Sequence, residues 1–163
     1  MIKSARSAAL GLALAASAST ANAAQITASA SANVAKPVSL IKLQDMDFGT
    51  LLVENYVGTR SVVMSRSGVI ICPAQVTCSG APKQARVNIQ GTNRMVVLIS
   101  VTSSGLSDGT NTIPFASDAP ASITMANSGA PGTNVDIGGT LTVDGSIPGG
   151  VYSGTLTITA NYQ

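Results

Sequence analysis

Between Thr155 and Tyr162 the chain alternates without a break: Leu156, Ile158, Ala160 and Tyr162 fall on one side, and Thr155, Thr157, Thr159 and Asn161 on the other. Only an extended strand, with its two-residue period, sorts such a series into one apolar and one polar face. The same pattern recurs near the opposite end, where Ile26, Ala28, Ala30, Ala32 and Val34 alternate with Thr27, Ser29, Ser31 and Asn33. Residues 25–34 are therefore expected to form a strand. Ala35-Lys36-Pro37 separates it from the rest of the chain, because proline cannot donate to a ladder and restricts the residue before it. Shorter apolar runs lie between these two, each bounded by Gly, Pro, Asn, Asp or Ser. They predict strands near 38–43, 60–65, 69–72, 85–90, 95–101, 122–125, 140–143 and 154–162. Residues 95–99 are apolar on both faces, which predicts a central strand or one covered by a neighbour. No stretch combines helical spacing with capping residues, so little or no helix is expected. The chain reads as all-β, in the manner of a sandwich.

The first residues have a different character. Lys3 and Arg6 are followed by a short apolar run over 8–18 and by Ala21-Asn22-Ala23, the three-part layout of a secretory signal peptide cleaved after Ala23. The run is shorter than the roughly 20 residues that span a bilayer, so no membrane insertion is expected. The chain divides on this reading into a signal peptide at 1–23, an N-terminal extension at 24–37 and a β-sandwich domain at 38–163. Export to the periplasm, and then to the cell surface or an extracellular fibre, is the expected localisation. In such an oxidising compartment Cys72 and Cys78, the only cysteines, are expected to be bridged. A metal site is the alternative, but the chain holds no histidine to complete one.

Charge excludes another class. Lys3 and Arg6 are two of nine basic residues and leave with the leader, so the rest balance the seven acidic ones. Without a basic excess nothing marks the chain as a partner for nucleic acid. The near-neutral surface instead favours association, since net charge is what keeps soluble proteins apart.

Catalysis lacks its usual residues. The absence of histidine removes the commonest general base and the usual activator of a serine or cysteine nucleophile. No spacing singles out Glu54 and an aspartate as a glycosidase pair. Asp47-Phe48-Gly49 matches a kinase metal-binding triplet in letters only, with no phosphate loop or catalytic loop beside it. Phe48 is expected to anchor the core, Gly49 to permit a turn, and Asp45 and Asp47 to cap turns rather than bind calcium. Gly138-Gly139 and Gly149-Gly150 are read as hairpin or bulge positions, and residues 103–114 and 126–136 as polar connections. No enzyme activity, cofactor or metal is expected.

Two segments carry a family likeness. The run Gly150-Val151-Tyr152-Ser153-Gly154-Thr155-Leu156-Thr157-Ile158-Thr159-Ala160-Asn161-Tyr162 resembles the C-terminal strand of chaperone/usher pilins and spore-coat-U-like domains. Leu43-Gln44-Asp45-Met46-Asp47-Phe48-Gly49-Thr50 is similar to their early leucine, aspartate, phenylalanine, glycine segment. In carrying both patterns the chain is similar to an uncharacterised bacterial family of short exported, pilin-like domains. The resemblance makes Asp47, Phe48, Gly49 and Gly150 family-like structural positions. It implies an immunoglobulin-like β-sandwich lacking its last strand, with a groove lined by Leu156, Ile158, Ala160 and Tyr162. A neighbour's extension would then fill the groove as a donor strand presenting Ile26, Ala28, Ala30, Ala32 and Val34. The implied partners are other copies or related pilin subunits, a periplasmic chaperone and an outer-membrane usher, and the implied function is a structural subunit of a surface fibre or pilus. Donor faces in that family are bulkier than this run of alanines. A self-complete envelope binding module, an adhesin or matrix domain whose first strand pairs in cis, has the same periodicity and stands as the alternative.

Overall fold

The structure, a computed structural model, describes residues 24–163; the expected signal peptide at 1–23 lies outside the described residues. The described residues form strands, turns and bends, with no helix among them. In chain order the strands are β1 (Ser39–Gln44), β2 (Thr50–Val53), β3 (Thr59–Met64), β4 (Ile70–Ile71), β5 (Val76–Ser79), β6 (Ala85–Gln90) and β7 (Val96–Ser103). Then come β8 (Leu106–Ser107), β9 (Thr112–Ile113), β10 (Phe115–Asp118), β11 (Ser122–Thr124), β12 (Thr133–Asp144) and β13 (Leu156–Tyr162). All pairings are antiparallel.

The larger sheet has the order β1-β6-β12-β3-β4, with β10 also paired to β12, and the smaller runs β11-β7-β13. Two hairpin-sized pairs, β2-β5 and β8-β9, complete the set. Alternation in the strands supplies the apolar filling between the sheets. Val87 and Ile89 of β6, Val135 and Ile137 of β12 and Val97 and Ile99 of β7 are buried together with Met125. A second cluster joins Phe48, Tyr56, Val62, Met64, Ile113, Leu141 and Val143. The protein is thus an all-β sandwich. β7 is the central strand of its sheet, as its doubly apolar composition predicts, and β13 is an edge strand with β7 as its one neighbour in the sheet.

Three expectations need correction. Residues 25–34 form no strand, and every side chain from Ala24 to Pro37 is exposed, with Ile26 at 93% and Val34 at 84%. An alternating segment becomes a strand only when a partner satisfies its backbone, and a mostly alanine face buries too little to offset ordering by itself. Gly138 and Gly139 are not turn residues but lie inside β12, where it runs between β3 and β10. A side chain at 139 would strike the Phe115 ring, so the missing Cβ is what lets that aromatic cover the strand. The stretches read as connections also hold structure: β8 and β9 form a hairpin within 103–114, and β12 begins within 126–136.

The disulfide is present between Cys72 and Cys78, with the Cα atoms 6.2 Å apart. It closes the short loop from β4 to β5, where Gln75 takes a positive φ of 71°.

Candidate functional site: a groove between two sheet edges

β1 ends the larger sheet and β13 ends the smaller one, so each keeps one side of its backbone without a strand. Between them opens a groove of about 580 Å³. Lys42 and Gln44 of β1 and the adjoining Met46 to Gly49 line it, as do Gly150, Tyr152 to Leu156 and Ile158 leading into and along β13. Ala85 and Val87 of β6, with Ile113, Phe115 and Leu141, contribute core side chains to its lining.

Local chemistry explains why the segment after β1 sits where it does. The amide of Asp47 donates to the carbonyl of Lys83 (2.8 Å), and the Lys83 amide donates back to the Asp47 carbonyl (2.7 Å), so the edge pairing continues past the strand. The Asp47 carboxylate accepts from the Gly49 amide at 2.8 Å, which turns the chain. Phe48 is thereby driven inward against Phe115, edge to face with centroids 6.0 Å apart. Gly49 has φ +71°, and a Cβ there would run into the Ser79 carbonyl, so only glycine fits. Asp45 pairs with Lys42 at 2.9 Å across the exposed rim. The Asp-x-Asp spacing thus serves a turn and a rim ion pair, and among the described residues no group of three or more His, Cys, Asp or Glu could hold a metal.

On the other flank the approach to β13 is equally constrained. Gly154 presses on the backbone carbonyl of Gly105, leaving no space for a side chain, and Ser153 exchanges backbone hydrogen bonds with Ser107 (2.7 and 3.0 Å). Asp108 accepts from the amides of Thr110 and Asn111 and from the Asn111 side chain. That last bond and its companions hold the carboxyl well below the usual range. Burial, and then Asp108, push the Tyr152 hydroxyl upward, so it stays a neutral phenol at the groove mouth.

Of the C-terminal residues singled out from the sequence, all four pack on the core cluster of β6 and β7, and Leu156 and Ile158 also line the groove, which Ala160 and Tyr162 do not. Tyr162 makes a clasp. Its hydroxyl donates to the Lys36 carbonyl and accepts from the Thr92 amide, both at 2.6 Å, while the Lys36 amide donates to the Thr92 hydroxyl at 2.7 Å. The root of the N-terminal extension is therefore held at the Tyr162 end of β13, and the open groove lies at the other. Sequence reasoning missed Met46, Leu106, Phe115 and Tyr152 as lining residues. Leu106 and Phe115 lie on short strands and Met46 and Tyr152 in connections, and their only signal, apolarity, also marks ordinary core filling.

A disulfide-bonded β-sandwich with two free sheet edges around an apolar groove is the class these features define. Residues 38–162 match the family model described as a domain of unknown function (DUF4402), and the chain belongs to that family. No curated protein and no solved structure matches the chain.

Proposed function

We propose that this protein is a non-enzymatic structural subunit of a bacterial surface fibre or pilus, and that residues 25–34 of one copy fill the groove of the next as a donor strand. The observation that carries the reading is the pairing of an open groove between two unpartnered strand edges with an alternating segment that has no strand of its own. Strand addition would satisfy both: backbone hydrogen bonds extend the ladder, and alternate side chains fix the register. The proposal includes export through the periplasm, where a chaperone would cover the groove before an outer-membrane usher exchanges it for the donor.

Geometry supports one direction for the incoming strand. In the donor, the sandwich begins a few residues after Val34, with β1 at Ser39. If the donor runs antiparallel to β13, that sandwich lies at the Gly150 end of the acceptor. The acceptor's own extension is rooted at the opposite end by the Tyr162 clasp, so copies add head to tail without collision and form an open series. The parallel direction would bring both to the same end.

Each donor alanine adds only about 0.8 kcal/mol per buried methyl, so the hold rests more on the ladder than on the pockets. Ala30→Asp places a charge at the centre of the inward face. It is expected to abolish multimers seen as a heat-labile ladder on a denaturing gel, with export unchanged. Undiminished multimers in that variant would overturn the reading. A cooperative monomer that unfolds when 24–35 are deleted would favour the self-complete envelope module instead.

A further inference from the structure

The phase of the β13 ladder determines which backbone groups an incoming strand can use. The Ser104 amide donates to the Thr155 carbonyl, and the Gln163 amide to the Val96 carbonyl, so odd-numbered residues of this stretch bond toward β7. Antiparallel ladders alternate, and the amide and carbonyl of Leu156, Ile158, Ala160 and Tyr162 therefore point to the open edge. These are the same residues whose side chains are half-buried. In the extension the apolar positions are even-numbered too. Placing even against even brings both inward faces to the same side and both sets of backbone groups face to face.

Resting on the strand-exchange reading, we infer that the donor binds in one register, with Val34 opposite Gly154 and Ile26 opposite Tyr162. The three alanines then face Ala160, Ile158 and Leu156 in turn. Two observations select it. All four open-edge residues of β13 gain a partner within residues 25–34, whereas a shift of two residues toward Gly150 leaves only Ala24, outside the alternating segment, opposite Tyr162 and carries Val34 to Tyr152, short of β13. A shift the other way keeps the four pairs but leaves Ile26 beyond the end of the strand, unburied. The chosen register also sets Val34 opposite Gly154, a groove-lining position that carries no side chain of its own. Small residues fall where Leu156 and Ile158 already project inward.

Cysteine pairing reads the register directly. Ser31 and Thr157 would be opposite in a non-hydrogen-bonded pair, with Cα atoms about 4.5 Å apart, within disulfide reach. Shifted by two residues the separation is about 8 Å, beyond it. Full chains carrying Ser31→Cys are mixed with separately purified chains carrying Thr157→Cys, Thr155→Cys or Thr159→Cys, and oxidised. All four positions are exposed, and Cys72 and Cys78 are already bridged. The expected result is a covalent dimer with Thr157→Cys, reduced at least tenfold with the other two. Preferential linkage to residue 155 or 159 would overturn the register while leaving strand exchange standing. No dimer with any of the three would overturn both.

Discussion

Phe48 shows how much one side chain carries in a chain with two phenylalanines. It is buried in the first core cluster, meets Phe115 edge to face, and reaches the groove lining. Truncating it leaves a cavity that the rigid neighbours Gly49 and Asp47 cannot close. Phe48→Ala is expected to lower unfolding stability by about 3–5 kcal/mol, measured by denaturant titration. That Phe48 would anchor the core, that Gly49 would permit a turn and that Asp47 would cap it were legible in the sequence, because each role arises from the residue's own chemistry. Phe115 was not. Its importance comes from Gly139, which lies far along the chain and reads locally as a hairpin or bulge position.

At the scale of elements, five strands of six to eight residues were readable from their own apolar runs. β6 occupies the residues its alternation predicts, and β1, β3, β7 and β13 differ from expectation only at their ends. Short pieces such as β2 and β5 escaped notice, since a four-residue pair depends on its partner more than on its own pattern. The Cys72–Cys78 bridge ties β5 to the residue just after β4 and so closes a small ring between those two strands. Chain-entropy reasoning assigns such a ring about 2 kcal/mol. Reduction is expected to lower stability by that amount, read as a shifted denaturation midpoint, with the sandwich still folded because both core clusters lie largely outside the loop.

For the whole molecule, charge chemistry predicts a plain response to pH. Three aspartates sit below their ordinary range. Asp136 is held down chiefly by the Arg86 side chain across β6 and β12, Asp144 by the Ser146 hydroxyl and amide, and Asp108 by Asn111. A carboxylate whose folded pKa is depressed contributes stability that is present above its unfolded value, near 3.8, and lost as pH falls through the folded value. The chain has no histidine. Thermal melting monitored by circular dichroism is therefore expected to be flat between about pH 5 and 8 and to fall below about pH 4.

The amino-acid sequence alone determined that the domain would be built of strands, since apolar residues at a two-residue period can be buried on one side only in extended backbone, and that its two cysteines could close only a small ring. Tertiary structure decided which edges stay open. Side-chain alternation says which face of a strand is buried, but an edge exists only relative to the strands that arrive, or fail to arrive, from distant parts of the chain. The groove between β1 and β13, the clasp of Tyr162 on Lys36, and the lack of a strand at residues 25–34 are all of that kind. Each depends on backbone groups whose partners lie far away in the chain, where no local pattern records them.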